Sequence, residues 1–242
     1  MILISRLFRS WVPVAALVAC SCVAAQASLI TFHSGNGSVG TNDALFTFLA
    51  GPVSSDFATL TAVNFTSAQT GPHAFIIANN PNWLTTLTED PTAKWLGTNA
   101  TAATGTGDTA LYAISFNLPA AVVSATLDLH FAVDNQLGAT DTNVGIFLNG
   151  TAVSSAFPTA GYGTETAFNS STVGASLHAG TNTLYFDAVN LGGPAGFIVA
   201  GTLTTVDAGT PSVPEPATFV LLGGALVALG CIRFRRARAQ RR

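Results

Sequence analysis

The side chains able to support acid–base or nucleophilic chemistry are sparse in this 242-residue chain. His33, His73, His130 and His178 stand isolated, and no Gly-x-Ser-x-Gly elbow presents a nucleophilic serine. His130 follows Asp128 by two residues, which puts both on one face of a strand and allows an imidazole–carboxylate pair. The same spacing also describes an ordinary solvated face. Glycoside hydrolysis needs two carboxylates about 5 to 10 Å apart across a cleft. Glu89 and Asp90 are adjacent and precede Pro91, which marks a turn rather than a cleft. These residues point away from an enzyme, and a secreted hydrolase with an atypical site is the most remote reading.

Cation binding and sugar binding have better candidates. Between residues 134 and 143, Asp134, Asn135, Asp141 and Asn143 concentrate oxygen donors, the ligand type that calcium takes in numbers of six to eight. The spacing is not that of an EF-hand, and the competing reading is a series of Asx turns in which these side chains bond their own backbone. A possible structural calcium is the one inorganic cofactor this expectation allows. A glycan needs exposed aromatic platforms. Tyr162, flanked by Gly161 and Gly163, is the candidate for an exposed loop, whereas Trp83 and Trp95 are expected to be buried.

The elements that must position these residues read as strands. Leu127, Leu129, Phe131 and Val133 alternate with Thr126, Asp128 and His130, and Tyr112, Ile114, Phe116 and Leu118 share one side before Pro119. Val144 to Leu148, then Asn149-Gly150, then Thr151 to Val153 predicts a hairpin, because a type I′ turn needs positive φ at both central residues. Leu184, Phe186 and Ala188 alternate with Tyr185 and Asp187, and Phe197 to Val206 supplies a closing strand. Further strands are expected at residues 29–32, 45–49, 59–65 and 74–78. Turn signals every 8 to 15 residues, with no repeat period, predict an all-β sandwich over residues 28–206.

Charge separates this body from its ends. Eleven of the twelve acids lie between Asp43 and Asp207, where Lys94 is the one basic residue; the arginines sit at positions 6, 9, 233, 235, 236, 238, 241 and 242. An acidic body excludes a nucleic-acid binder, which needs a basic face. At the N-terminus, Arg6 and Arg9 precede an apolar stretch and then Ala25-Gln26-Ala27, which predicts a signal peptide over residues 1–27 cut by signal peptidase between Ala27 and Ser28. Leu17-Val18-Ala19-Cys20 offers a lipobox as the rival. Cys20, Cys22 and Cys231 all lie in terminal segments, so the body has no thiol for a disulfide or a metal.

After a linker at 207–213, Pro214-Glu215-Pro216 opens an apolar run over 217–232 that ends in six arginines. As a helix those 16 residues rise about 24 Å, short of an ~30 Å hydrocarbon core. The arginines hold its end in the cytoplasm and leave the body outside. Residues 214–242 closely resemble the PEP-CTERM sorting signal of Gram-negative bacteria. The resemblance implies processing near Pro214, Glu215 and Pro216 by an exosortase, a transient inner-membrane anchor, and release to the cell surface or the extracellular matrix.

A second resemblance rests on Lys94-Trp95-Leu96-Gly97, Tyr112 to Pro119, Asp134-Asn135, Phe147-Leu148-Asn149-Gly150, Gly180 to Phe186 and Asn190 to Gly196, in that order. This series is similar to the galactose-binding-like jelly roll of many PEP-CTERM proteins and spans about residues 71–205. It implies a sandwich related to carbohydrate-binding modules, with Asp134-Asn135 as a structural hallmark and residues 28–70 adding edge strands. The leading expectation is a non-catalytic exported surface or matrix protein associated with exopolysaccharide or biofilm, and the alternative is a carbohydrate-binding module with a defined glycan.

Overall fold

The computed structural model describes residues 27–138 and 144–207, together with 223–226, 229 and 233. A compact unit spans Ala25–Ala208, and Met1–Ala24 with Gly209–Arg242 form a second. In the second unit the described positions 223–226, 229 and 233 are helical. Among the described residues no helix is long and apolar enough to cross a membrane. The expected signal peptide up to residue 26 and most of the apolar run 217–232 lie outside the described residues.

Among its described residues the compact unit is all-β apart from one short α-helix and one 3-10 turn. Its elements are β1 (Ala27–His33), β2 (Asn42–Val53), α1 (Ala62–Gln69), β3 (His73–Ile76), β4 (Leu96–Gly97), β5 (Asp108–Leu118), β6 (Val122–Val133), β7 (Gln136–Leu137), β8 (Ile146–Leu148), β9 (Thr151–Ala152), β10 (Thr166–Ser170), a 3-10 turn at Val173–Ser176, β11 (Gly180–Val189) and β12 (Phe197–Asp207). The strands form one antiparallel path, β10-β6-β12-β4-β3-β2-β5-β11-β8-β9, with β1 joined to β12 and β7 to β11. The short β3 and β4 let the path curl, so that β6 and β12 face β5 and β11.

Period-two alternation decides which side chains fill the space between the two leaves. Leu127, Leu129, Phe131 and Val133 from β6 meet Tyr112 and Ile114 from β5 and Leu184 and Phe186 from β11 in one apolar core. Phe197 of β12 packs its ring 5.5 Å from Tyr112 and 5.1 Å from Phe186, across the sandwich. Each fully buried ring of this kind contributes about 1.5 to 3 kcal/mol. Outside β6 and β12, Trp83 and Trp95 pack with ring centroids 4.3 Å apart and planes tilted by 38°, and cover Ala132, Ile198 and Ala200. Outside β5 and β11, α1 and the segment before it cover Leu111, Ala113 and Tyr185.

Two expectations are corrected. Residues 59–65, expected as a strand, instead lead into helix α1. Thr61 and Asn64 form a reciprocal capping box there, each side chain bonding the other residue's backbone N–H, which satisfies donors that a helix start leaves open. Residues 28–70 are more than an edge. β1 does lie beside β12, but β2 is interior, paired with β5 on one side and β3 on the other. Its Phe46 and Phe48 are core residues.

The Asn149-Gly150 hairpin forms as expected. Asn149 has φ 52° and Gly150 φ 78°, both left-handed, and Phe147 pairs with Ala152.

Candidate functional site

Asp134 follows directly on β6, buried beneath the loop before β12, where its backbone N–H donates to the Gly196 carbonyl at 2.9 Å. Burial pushes its carboxyl up to about 6, against the opposing effect of a hydrogen bond from the Trp83 indole. A small cavity of about 10 Å³, lined by Asp108, Tyr112, Asp134 and Asn190, lies beside it. Asn135 accepts the Leu191 N–H at 2.7 Å, and Asn190 donates to the Gly107 carbonyl at 2.6 Å and accepts from Gly192 N at 3.1 Å. Asp134, Asn135 and Asn190 therefore staple three loops at one end of the sandwich. Of the four expected calcium ligands, Asp141 and Asn143 lie outside the described residues. Among the described residues no group of three or more acidic, histidine or cysteine side chains is placed to hold a metal.

Tyr162 stands 43 % exposed on its glycine-flanked loop, and its carbonyl accepts the Leu84 N–H at 2.7 Å. Trp83 and Trp95 are buried. Asp90 receives the Thr92 N–H and hydroxyl at 2.8 and 2.6 Å, the turn expected before Pro91. His130 finds a different carboxylate from the one two residues away: its Nδ1 lies 2.6 Å from Oε1 of Glu165, and the Thr88 N–H donates to Oε2 at 2.6 Å. Burial raises the Glu165 carboxyl, but the bonds from Thr88 and His130 outweigh it and leave the group below its ordinary value. Nothing in local spacing could show this pair, because β10 brings the neighbourhood of Glu165 to β6 through long-range pairing.

The groove that sequence reasoning missed runs between α1 and β11. It has a volume of about 570 Å³ and is lined by Phe65, Thr66, Gln69, Asn149, His178, Thr181, Thr183 and Tyr185, among others. Phe65 lies edge-on to Phe147 and Tyr185, with centroids 5.0 and 4.9 Å apart. The Gln69 amide donates to the Thr183 hydroxyl at 3.0 Å, and the Ser115 and Thr183 hydroxyls are 2.9 Å apart. His178, Thr66 and Thr181 are exposed along the groove. A half-buried ring with amide, hydroxyl and imidazole groups beside it suits a neutral, hydroxyl-rich ligand: ring carbons can lie against Phe65 while the polar side chains bond hydroxyls. The signal was the Thr-x-x-Asn cap at the start of α1, which creates one wall.

Ala27 and Ser28 open β1, where they pair with Val206 and Thr205. Cleavage between them would leave Ser28 at the start of a paired strand. Pro214, Glu215 and Pro216 lie outside the described residues.

Among solved structures the chain is similar to a family 35 carbohydrate-binding module from Clostridium thermocellum, with 12 % identity, a TM-score of 0.30, and coverage of 73 % of this chain and 97 % of that one. It is also similar to a CBM35 from Paenibacillus barcinonensis, at 12 % identity and a TM-score of 0.29, covering 71 % and 97 %. An isomalto-dextranase from Arthrobacter globiformis T6, complexed with panose, aligns at 12 % identity and a TM-score of 0.33, over 76 % of this chain and 33 % of that one. Scores this low carry no weight on fold or ligand, and the sandwich rests on its own strand pairing. No curated protein matches the chain significantly. The family match lies at the other end: residues 212–236, which contain Pro214-Glu215-Pro216 and the first arginines of the tail, carry the PEP-CTERM protein-sorting motif.

Proposed function

We propose that this is a non-catalytic exported protein, sorted by an exosortase through its C-terminal motif and deployed at the cell surface or in the exopolysaccharide matrix. The sorting motif over residues 212–236 carries the reading. On this reading signal peptidase removes residues 1–27, the run 217–232 anchors the chain transiently in the inner membrane, and the arginine tail stays cytoplasmic. Each arginine costs about 2.5 to 3.5 kcal/mol at the bilayer centre on insertion scales, so release by cleavage is favoured over passage of the tail. Replacing Pro214, Glu215 and Pro216 together by alanine in an exosortase-containing host is expected to trap the protein in the inner-membrane fraction. Normal release of the triple variant would refute the reading.

A second reading, that the sandwich is a carbohydrate-binding module, is favoured by the groove between α1 and β11. A glycan array probed with the wild-type chain tests it. Binding that is lost in Phe65→Ala and kept in Tyr162→Ala would assign the ligand to this groove; the reverse pattern would assign it to the Tyr162 loop. Absence of binding to neutral polysaccharides leaves the protein in the matrix-protein class.

A further inference from the structure

Strand parity carries two polar side chains into the end of the sandwich where β1 meets β12. Leu203, Thr205 and Asp207 are buried at alternate positions of β12, whereas Thr204 is exposed and Val206 half-buried. Thr205 is wholly inaccessible, and Asp207 is 7 % exposed. β12 is irregular against β6 between Val206 and Asp207, yet Asp207 stays on the buried side. Thr205 Oγ1 and Asp207 Oδ1 each lack a hydrogen-bond partner. A buried oxygen left unbonded destabilises the fold, and a charged one does so more strongly.

β1 lies alongside in antiparallel register. Ser28 stands opposite Thr205 and Ala27 opposite Val206, which makes Asp207 the diagonal neighbour of Ser28. The even positions of β1 turn inward with these residues: Ile30 packs against the core and Phe32 belongs to it, whereas Ala27, Leu29 and Thr31 are exposed. Side chains directly opposite in such a pair have Cβ atoms about 4.5 to 5.5 Å apart, and diagonal neighbours lie at about 7 to 8 Å. A carboxylate arm on one strand and a terminal nitrogen on the other can close the longer of these gaps.

Within the compact unit the one lysine is engaged elsewhere. Lys94 donates its ammonium to the carbonyls of Gly35 and Gly37 at 3.1 and 2.8 Å. A cation does arise beside Thr205 and Asp207 when the chain is cut between Ala27 and Ser28, the step assigned above to signal peptidase. Water adds across that peptide bond: Ala27 leaves with the leader as a carboxylate, and the Ser28 nitrogen becomes a free amine. That amine takes a proton from solvent at neutral pH, since α-amino groups titrate at about 7.7 to 8.0. Freed from the preceding residue, it can swing about the Ser28 Cα–C bond toward the inner face of the sheet.

We propose that Thr205 and Asp207 form the receiving site for the Ser28 α-ammonium, which donates to Thr205 Oγ1 and Asp207 Oδ1 and fastens β1 to β12 once the leader is gone. A hydrogen bond between two charged groups is the strong kind, and here it satisfies both orphaned oxygens. This pairing rests on the signal-peptidase reading and gives the cut a structural consequence: removal of the leader completes the sandwich as well as freeing it.

The test compares the cut chain with an uncut form, both made without exosortase and kept in detergent so that they share one C-terminus. N-terminal sequencing of the cut chain should begin at Ser28. The uncut form comes from Ala27→Phe, which removes the small residue the peptidase requires at an outward-facing position of β1, and intact mass checks that the leader is retained. In the cut chain Asp207→Asn should lower the melting midpoint by a few degrees. In the uncut chain the same change should melt no lower than its parent, because it removes an uncompensated charge. That difference separates a lost ion pair from a damaged fold. After the cut, the Ser28 α-amine and Lys94 are the amines of the chain. Acetic anhydride at neutral pH should modify Ser28 about tenfold more slowly in the wild type than in Asp207→Asn, the factor equal to one pKa unit, with Lys94 as internal reference. An N-terminus other than Ser28 would remove the signal-peptidase reading and the proposal with it. Ser28 at the N-terminus with equal losses in cut and uncut chains, or with the same reactivity in wild type and Asp207→Asn, would overturn the proposal alone.

Discussion

The side-chain amide of Asn149 donates to Oδ1 of Asn182 at 2.8 Å, joining a two-residue hairpin turn to the start of β11. The same amide reaches the Ser176 carbonyl at 2.8 Å, while Asn149 Oδ1 accepts the Thr183 N–H at 2.8 Å. Asn182, fully buried, donates in turn to the His178 and Gly180 carbonyls. One asparagine thus supplies both the left-handed conformation of the turn and the fastening of the loop beside the α1 groove.

Asn149→Ala should therefore destabilise by about 2 to 4 kcal/mol, combining unmet buried hydrogen bonds with a strained positive φ. Asn149→Gly keeps the φ and loses only the side-chain bonds, so it should fall between alanine and wild type. Urea denaturation of the three chains gives the order, and equal midpoints for alanine and glycine would show that the conformation is immaterial.

For Asp134 the sign runs toward acid. Its carboxyl is raised in the folded protein to about 6, so the folded state binds more protons than the unfolded one between the ordinary aspartate range and that value. The stabilising contribution is full below the unfolded value and is lost as pH rises through about 6. Melting temperatures from pH 4 to 7 should show Asp134→Asn gaining on wild type as pH rises. Parallel profiles would contradict the burial of this carboxyl.

Capping of α1 makes a smaller prediction. Thr61→Ala removes the hydroxyl that caps Asn64 N and should cost about 1 kcal/mol, typical of an N-cap loss. Thr61→Ser should restore it. Thermal melts of the two variants check the order, and an alanine variant as stable as serine would mean that packing alone holds the helix.

The eleven acids and one lysine between Asp43 and Asp207 should make the sandwich salt-stabilised. Raising sodium chloride from about 10 to 150 mM shortens the screening length from about 30 to 8 Å and should raise the melting midpoint. A falling midpoint would mean that local attractions, such as His130 with Glu165, outweigh the net repulsion.

The long strands and the Asn149-Gly150 turn were legible because their signals are local: period two in β6, β5 and β11, and a dipeptide that tolerates positive φ. The sorting motif was legible for the same reason, since Pro-Glu-Pro, an apolar run and arginines are contiguous. Helix α1 was misread because Thr59, Thr61 and Val63 imitate strand alternation, and only the Thr61–Asn64 reciprocity distinguishes them. Tyr185 and Asp187 alternate with the core residues Leu184 and Phe186 as the period predicts, yet the face they share is itself buried, Tyr185 beneath Phe57, Leu60 and Phe65 from more than 100 residues earlier in the chain, which no local pattern reveals. The partner of His130 was hidden likewise, because Glu165 arrives by strand pairing rather than spacing.

The central claim is the address, and the C-terminus of the released protein tests it most directly. Intact-mass and peptide spectrometry of extracellular protein from an exosortase-containing host should find an end near Glu215 and no peptide from Phe219 onward. Extracellular protein that retains Arg233 to Arg242 would contradict the account.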